Sequence, residues 1–448
     1  MTTVVVGAGV TGLTVADALA QKGLKVVVLE KAPVVGGLCR SYSYGPHHFD
    51  IGPHRLFSAD PGLFGFFQSV LGSRANSIAR ESAVLMAGRY LDWPLSARSL
   101  ARLPAGHLAL CLKDLFISGR KSGSTIASME EYVIHRYGRT IYDVFWRGYT
   151  RKFLGIDCSS VDPSWASLSV TRSVIDRRER PGGLFDLLKN SLFSPSSTLA
   201  FLYPEGGMSV FPELLAERAR RSGARILTGR PAAAIEMADN RVRSVTAGSE
   251  RFEADTLVWT APLPELFALL AEGAPALKYL STVLFNIEAD SARRPPWQWV
   301  YVPDPDIVFS RVSFPAQFWP GAAPADREGI CVEVTCRQGD DTWQKPGALE
   351  SRVAADLVRS RLIESESAIR DCHVELVSNT YPVYTIGFAK IVEEARRRLE
   401  RVRNLRLAGR QALFLHDNID ETVRDALGLA ASLAAGRRAE CATAGAVP

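Results

Sequence analysis

The sequence predicts an α/β fold whose core is a parallel sheet. A short β-branched run at 3–6 leads into the glycine-rich turn G-A-G-V-T-G at 7–12, and an apolar segment with helical spacing follows. A second β-branched run at 25–29 ends in the acidic Glu30. The order strand, glycine turn, helix, strand and acid is typical of the Rossmann-type dinucleotide-binding unit.

Each glycine of the turn has its own physical role. Gly7 permits the tight turn, Gly9 lets the backbone approach a pyrophosphate, and Gly12 lets the helix pack against the strand. The N-terminus of the helix offers unpaired N–H groups to phosphates. Glu30 follows Gly12 by 18 residues, where a carboxylate can bind ribose hydroxyls. A purely structural glycine turn is the alternative, and the surrounding strand–turn–helix order argues against it.

The residues after Glu30 narrow the choice of cofactor. The run E-K-A-P-V-V-G-G-L-C-R-S places a second glycine pair just beyond the acid. This extension resembles the FAD-binding flavoproteins of the amine oxidase and protoporphyrinogen oxidase superfamily. The resemblance implies that the cofactor is FAD, not NAD. It also implies cofactor contacts from Lys31, Gly36, Gly37, Leu38 and Arg40.

Composition excludes several classes of function. The 448 residues suffice for two or three domains, and 47% hydrophobic and 23% charged residues are typical of a soluble globular protein. The net charge of +5 suits an anionic small-molecule substrate, and we expect no nucleic-acid binding because no basic run is interleaved with aromatic residues. The seven cysteines form no zinc or disulfide pattern. We find neither a signal peptide nor a transmembrane run, and therefore expect a cytoplasmic protein without a membrane partner.

One segment contains three of the seven histidines, His47, His48 and His54. A metal cluster is one interpretation, but no Cys, Asp or Glu ligand pattern completes it, and a polar loop is another. The run D-I-G-P-H-R-L-F at 50–57 resembles the flavin-contacting segment of the UDP-galactopyranose mutases. This resemblance implies that His54 lies against the isoalloxazine ring as a catalytic residue, beside Gly52 and Pro53.

Two further features in the middle of the chain resemble the mutases. The segment G-Y-T-R-K-F-L-G contains Tyr149, which the resemblance implies is a substrate contact, and has Leu154 where the family has tryptophan. Loss of that aromatic wall would change the base, sugar or leaving group. Arg172 lies about where a mutase arginine contacts the nucleotide-sugar, which implies a catalytic and substrate-binding role, although Arg177 or Arg178 could serve instead.

Two later segments supply the remaining substrate candidates. The run F-S-R-V-S-F around Arg311 resembles a mutase segment whose arginine approaches the sugar diphosphate, and Y-P-V at Tyr381 matches one whose tyrosine binds phosphate. An arginine in a half-buried strand with no local carboxylate partner needs an anion, because an unpaired buried charge costs several kcal/mol. The alternatives are a surface-facing Arg311 and a Tyr381 that only packs in the core.

The C-terminal part of the chain resembles the flavoprotein segment that directs a helix N-terminus at the flavin end of FAD. A strand at 404–408 is followed by a Gly-Arg pair, a loop and an Ala-rich helix. The implied cofactor contacts are Gly409, Arg410, Asn418, Ile419 and Asp420, with Asn418 in place of a family aspartate. Ala232 occupies the place of the valine that usually contacts adenine.

These segments predict a cofactor domain that is discontinuous in sequence. We predict that the FAD-binding domain comprises residues 1–95, 195–264 and 400–448. A helical domain at 96–194 and a β-rich substrate domain at 265–399 separate its three parts, and the latter is expected to hold a sheet of six or seven strands. We also predict one strand that continues from residue 241 to residue 259, and another at 307–312.

Two functions follow from the resemblance. The favoured one is a pyranose–furanose mutase of carbohydrate biosynthesis that acts on a nucleotide-diphosphate sugar through an adduct between the sugar and N5 of reduced flavin. Arg172, Arg311 and Tyr381 would then hold the diphosphate, and His54 would orient the flavin. A flavin reductant such as NAD(P)H is implied, and no metal is. The alternative is net oxidation by an FAD-dependent oxidoreductase of the amine oxidase, alcohol oxidase or desaturase type, which the lost tryptophan favours.

Overall fold

The structure is a computed structural model that describes residues 2–93, 95, 99, 101–118, 126–166, 200–290 and 294–436. The strands in these ranges are β1 (Thr2–Val6), β2 (Lys25–Leu29), β3 (Ser41–Tyr44), β4 (His47–Asp50), β5 (Ala75–Ala79), β6 (Ser82–Met86), β7 (Arg89–Asp92), β8 (Ala200–Pro204), β9 (Arg225–Leu227), β10 (Ala232–Ala238), β11 (Arg241–Ala247), β12 (Glu250–Glu253), β13 (Thr256–Trp259), β14 (Tyr279–Asp290), β15 (Trp299–Tyr301), β16 (Arg311–Ser313), β17 (Arg327–Cys336), β18 (Ile369–Pro382) and β19 (Leu405–Leu407). The helices are α1 (Val10–Ala20), α2 (Pro61–Leu71), α3 (Ala105–Ser118), α4 (Met129–Tyr137), α5 (Arg139–Ile141), α6 (Arg147–Leu154), α7 (Val210–Arg221), α8 (Leu263–Leu269), α9 (Asp341–Gln344), α10 (Glu350–Arg359), α11 (Phe388–Leu399), α12 (Gly409–Leu413) and α13 (Ile419–Ala434).

Two large sheets organise the part of the chain that the structure describes. The first has five strands in the order β19-β13-β1-β2-β9, and the second has seven in the order β18-β14-β17-β16-β15-β6-β7. Strands β10, β11 and β12 form a smaller sheet, and β3–β4 and β5–β8 pair as ribbons. We call the first the parallel sheet and the second the mixed sheet.

The parallel sheet is assembled from distant parts of the chain. Strand β1 is central and pairs in parallel with β2 on one side and β13 on the other, and β13 pairs with β19. Its valines are fully buried, as expected for a strand with both faces covered. Helix α1 packs against α7 and α13 on one face. The predicted α/β class, with a discontinuous Rossmann-type domain, is confirmed.

The mixed sheet joins the C-terminal half of the chain to an early hairpin. Strand β14 pairs antiparallel with β17 and β18, and β6 pairs in parallel with β15. The chain before residue 95 therefore contributes to both large sheets. The single strand predicted from 241 to 259 is wrong: the chain turns at Gly248 and again near Asp255, which yields β11, β12 and β13. The strand predicted at 307–312 is also wrong in its bounds, because the observed strand, β16, begins at Arg311 and ends at Ser313.

The helical region carries an irregular turn that bears on the site. Ser128 caps α4 by accepting a hydrogen bond from the Glu131 N–H at 3.3 Å. A π-helical turn, Tyr142–Trp146, connects α5 to α6. Arg172, Arg177 and Arg178 lie outside the described residues. Among the helices that the structure describes, none combines the length and apolarity needed to cross a bilayer.

Candidate active site

A cavity of about 790 Å³ is lined by residues of both large sheets. The glycine turn after β1 forms one part of its wall, and side chains of β15, β16 and β18 form another. The loop between β4 and α2, the helical region and the N-terminus of α13 complete it. Elements from all parts of the described chain therefore converge on one site.

The glycine turn is built as the sequence predicts. Gly7 has a φ of 103°, and a Cβ added there would lie 2.3 Å from Thr260 Oγ1. A Cβ on Gly12 would lie 2.0 Å from the Gly7 carbonyl oxygen, so α1 could not pack against β1 with any larger residue. These two positions require glycine for packing.

Gly9 requires glycine for a different reason. A Cβ added at Gly9 would meet only the Gly37 Cα, at 3.9 Å, so little protein occupies the space beside it. The second glycine pair, Gly36 and Gly37, is joined to the glycine turn, because the Gly36 N–H donates a hydrogen bond to the Ala8 carbonyl oxygen at 2.8 Å. The two glycine-rich loops thus form a cradle that a side chain would fill, and backbone N–H groups in such a cradle bind pyrophosphate.

The Glu30 carboxylate is fixed at the end of β2. Its Oε2 accepts a hydrogen bond from the Ala8 N–H at 2.7 Å, and its Oε1 accepts one from the Ala32 N–H at 2.8 Å. A carboxylate oxygen can accept more than one hydrogen bond, so Glu30 remains able to bind ribose hydroxyls from its place on the cavity wall.

Most of the residues predicted to bind the cofactor line the cavity: Gly7, Gly9, Glu30, Lys31, Gly36, Gly37, Leu38, Arg40, Pro53, His54, Ala232, Arg410, Asn418, Ile419 and Asp420. Gly12, Gly52 and Gly409 lie behind that wall. A Cβ on Gly409 would lie 2.4 Å from Thr11 Oγ1, so this glycine lets α12 approach α1.

Asn418 caps α13 in a capping box with Glu421, so the change from the family aspartate preserves the cap.

The geometry around His54 fixes its protonation state. Its Nδ1 lies 3.1 Å from the Gly52 carbonyl oxygen, and since a carbonyl only accepts, Nδ1 donates and Nε2 keeps its lone pair. Burial, followed by the positive charges of Arg311 and Arg410, lowers the pKa of His54 to about 4. His54 is therefore a neutral imidazole at neutral pH.

The other two histidines of the segment lie away from this wall. The ring of His47 is buried, with Nδ1 3.1 Å from Glu288 Oε2, and His48 Nδ1 lies 2.8 Å from Ser43 Oγ. Within the described ranges no group of three or more His, Cys, Asp or Glu side chains could hold a metal ion. The metal-cluster interpretation of this segment gains no support.

Arg311 has a carboxylate partner, contrary to the premise of the sequence analysis. Its Nε and Nη2 donate to the two carboxylate oxygens of Glu333, each at 2.6 Å, and Nη2 also lies 3.0 Å from Tyr381 Oη. Strand register places Glu333 directly opposite Arg311 on β17. The charge of Arg311 is thus balanced by protein, while Arg311, Tyr381 and Tyr149 all line the cavity. Their substrate contacts stay predictions.

An aromatic stack forms the helical side of the cavity. Phe145, Tyr149 and Phe153 recur every four residues, and their rings stack with centroids 5.4 and 5.6 Å apart and interplanar angles of 10° and 9°. Leu154, where the mutases have tryptophan, is buried behind this wall, so its substitution leaves the stack intact. The four-residue spacing of the aromatic residues was the sequence signal that could have predicted this wall.

Two cavity arginines were missed by the sequence analysis. Arg55 and Arg80 both line the cavity, and their guanidinium carbons lie 5.6 and 5.3 Å from the centre of the Trp299 ring. Arg55 directly follows His54 in the segment that resembles the mutases, and this adjacency was the available signal.

Comparison with known proteins agrees with this arrangement. The sequence pattern described as flavin containing amine oxidoreductase matches residues 10–426. A zeta-carotene-forming phytoene desaturase of Myxococcus xanthus is 25% identical over 309 residues, which cover 60% of this chain and 55% of that one. The matched region thus spans little more than half the length of that relative.

Two solved structures share the fold along almost the whole chain. Reduced UDP-galactopyranose mutase superposes with a TM-score of 0.83 at 21% identity, covering 100% of this chain and 97% of that one. A putative protoporphyrinogen oxidase from Exiguobacterium sp. 255-15 superposes with a TM-score of 0.76 at 19% identity, covering 97% and 99%. At these identities the likeness concerns the fold.

The predicted cofactor, FAD, is confirmed by the matching flavin-containing family. The residues present fit it. The glycine cradle would hold the pyrophosphate and Glu30 the ribose, and the capped N-terminus of α13 and Arg410 lie on the same cavity wall.

Proposed function

This chain belongs to the flavin-containing amine oxidoreductase family, and from that premise we propose that it is a mutase-like isomerase. Its substrate would be a nucleotide-diphosphate sugar, whose pyranose and furanose forms it interconverts. Bound FAD, in the reduced state, supplies the electron-rich ring that such an isomerisation requires. The flavin would be kept reduced by an external donor such as NAD(P)H.

The observation that carries the proposal is the combination of stacked rings and guanidinium groups on one cavity wall. The Phe145–Tyr149–Phe153 stack offers flat apolar surface to a nucleobase, and Tyr381 connects this stack to Arg311 through a ring contact of 4.9 Å with Phe153 and a hydrogen bond. Guanidinium groups are suited to phosphate. A nucleotide-diphosphate sugar needs both surfaces.

The chain's own residues bind and orient in this proposal. His54 is neutral and presents the Nε2 lone pair, so it aligns its neighbours by hydrogen bonding without adding charge. Arg311 is held rigid by Glu333 and offers its remaining N–H groups as directional donors, while Tyr381 accepts a hydrogen bond from the Nη2 that also binds Glu333. Burial raises the pKa of Tyr149 well above its ordinary value, so that phenol stays protonated and can donate.

Net oxidation of an apolar substrate is the second candidate. The largely aromatic helical wall would accommodate a hydrocarbon, and Leu154 in place of the family tryptophan removes one feature of the mutases. Similarity to a phytoene desaturase supports the same candidate.

The test is anaerobic turnover by dithionite-reduced, FAD-loaded enzyme. Nucleoside-diphosphate hexoses and pentoses are incubated with it, and pyranose and furanose forms are separated by chromatography. We expect a product of unchanged mass and a flavin spectrum that stays reduced. A substrate that reduces the oxidised flavin, with no isomer formed from any sugar, would overturn the proposal in favour of oxidation.

A matched pair of variants connects turnover to the site. Tyr381→Phe removes the hydroxyl that contacts Arg311, and we expect kcat/KM to fall about tenfold with FAD content unchanged. Tyr132→Phe, at a half-buried position of α4 that does not line the cavity, is the control and should keep full activity. Equal activity of the two variants would remove Tyr381 from the substrate site.

A further inference from the structure

We propose that Arg55 and Arg80, supported by the ring of Trp299, form a subsite that binds a phosphate group of the substrate. The inference rests on the proposed function in taking the ligand to be the substrate's diphosphate. The subsite itself requires only a phosphate anion in the cavity. Arg311 offers a phosphate directed N–H groups but no net charge, because Glu333 neutralises it. The subsite of Arg55 and Arg80 would supply that positive charge.

The first argument is geometric. Both guanidinium groups lie within 6 Å of one indole ring, at 5.6 Å for Arg55 and 5.3 Å for Arg80, and both side chains line the cavity. Trp299 is itself buried and stacks against Phe318 with an interplanar angle of 17°. Both planar cations therefore lie against one rigid aromatic ring, which pre-organises their N–H groups.

The second argument concerns charge. Arg55 makes no hydrogen bond and no ion pair within 4 Å with any residue that the structure describes, and the charge of Asp420 acts on it only from farther away. Burial lowers the pKa of Arg55, and it lowers that of Arg80 to about 9, with repulsion from Arg55 as a further cause. Two mutually repelling, poorly solvated cations are stabilised when an anion joins them.

The third argument is that the protein fixes the position of Arg80. The side chain of Gln298, the residue before Trp299, donates to the Ala79 carbonyl at 2.8 Å and accepts from the Glu81 N–H at 2.6 Å. Arg80 lies between these two clamped residues, and its Nε donates to Ser82 Oγ at 3.3 Å. The Gln298–Trp299 pair thus positions both the backbone and the guanidinium of Arg80.

The fourth argument is the location within the cavity. Arg55 is the residue after His54, and consecutive Cα atoms lie about 3.8 Å apart. A phosphate at this subsite would lie next to the loop that faces the flavin end of the cavity, where a sugar that loses and regains its diphosphate must place that group. A hydrocarbon substrate would offer no anion to the buried guanidinium of Arg55.

The experiment is calorimetric titration of the FAD-loaded enzyme with sodium pyrophosphate at low ionic strength. Arg55→Met and Arg80→Met should each weaken pyrophosphate binding at least about tenfold, and the double variant should bind none measurably. Arg74→Met removes one exposed arginine that does not line the cavity, and it should change the affinity by less than about twofold. Dissociation constants unchanged in both single variants would overturn the proposal.

Three further measurements test whether the ligand is a phosphate and whether Arg55 binds it. Acetate binding as tightly as pyrophosphate would overturn the phosphate assignment, and a lower flavin-to-protein ratio in the Arg55 variant would reassign that residue to the cofactor. If a methionine variant fails to fold, Arg55→Lys keeps the charge but loses the planar fork, and should still weaken pyrophosphate binding at least about threefold.

Failure of the function and failure of the subsite give different results. If wild type binds pyrophosphate through both arginines but isomerises no nucleotide-sugar, the subsite stands and the proposed function falls. If wild type isomerises a nucleotide-sugar and the arginine variants keep its KM, the function stands and the subsite falls.

Discussion

At the scale of single residues, His54 makes stability depend on pH. Its pKa is 6.5 in an open chain and about 4 in the folded protein, because it is buried near two arginines. Between these values the unfolded chain binds a proton that the folded protein does not, so stability falls as pH falls from 6.5 to 4. The difference amounts to about 3 kcal/mol once both values have been passed.

We expect His54→Gln to remove this part of the acid sensitivity. The glutamine amide does not titrate, so the stability gap between variant and wild type should shrink as pH is lowered from 7 to 4. Urea unfolding of both proteins across that range measures the gap. His135→Gln, on the exposed side of α4, controls for loss of a histidine charge elsewhere. A gap for His54→Gln that is constant with pH would contradict the assigned pKa.

At the scale of elements, one lysine fastens α6 to the loop between β15 and β16. Lys152 Nζ donates to the carbonyl oxygens of Val302 at 2.7 Å and Phe309 at 3.0 Å, and also to that of Asp304. Gly148 allows the close approach, since a Cβ there would lie 2.5 Å from the Pro303 carbonyl oxygen. Two rings of the aromatic stack, Tyr149 and Phe153, are on this helix, so their position over the cavity depends on the contact.

We therefore expect Lys152→Met to lower the free energy of unfolding by about 3 kcal/mol, because three carbonyl groups lose their shared donor. Denaturant unfolding of apo and FAD-loaded protein measures the loss. Lys390→Met, on the exposed side of α11, removes the same charge without these contacts and should change stability by less than about 0.5 kcal/mol. Equal losses would show that the loop is held by packing alone.

Sequence reasoning succeeded for features that are local in the chain. The glycine turn between β1 and α1 and the position of Glu30 at the end of β2 depend on residues within one short stretch of the chain. It failed where register between distant strands decides the outcome, as for Glu333 opposite Arg311 and for β6 beside β15. Such register is set by tertiary packing, and for the same reason the meeting of two arginines on Trp299 was not predicted.

At the scale of the whole molecule, the cavity connects parts of the chain that are far apart in sequence. Its wall includes the β1 turn, the loop after β4, the helical region, β13 and the N-terminus of α13. A cofactor that contacts all of these binds the folded chain and not the unfolded one. FAD at 100 times its dissociation constant should therefore raise the free energy of unfolding by about 2.7 kcal/mol.

Variants at two glycines of the turn after β1 distinguish the stabilisation by bound FAD from the stability of the apo protein. Gly9 has an ordinary φ of −73° and open space beside it, so Gly9→Ala should leave the apo protein nearly as stable as wild type while its methyl group occupies the pyrophosphate cradle. We expect FAD affinity to fall at least about tenfold and most of the stabilisation by FAD to disappear. Gly12→Ala is the counterpart, because its Cβ would lie 2.0 Å from the Gly7 carbonyl oxygen and must displace α1 from β1. That variant should lose stability already in the apo form.

Thermal melts of both variants with and without FAD, together with the quenching of tryptophan fluorescence on FAD addition, test the distinction. If Gly9→Ala binds FAD like wild type, the pyrophosphate does not lie in the open space beside Gly9. Pyrophosphate binding would then have to be assigned to the second glycine pair, Gly36 and Gly37.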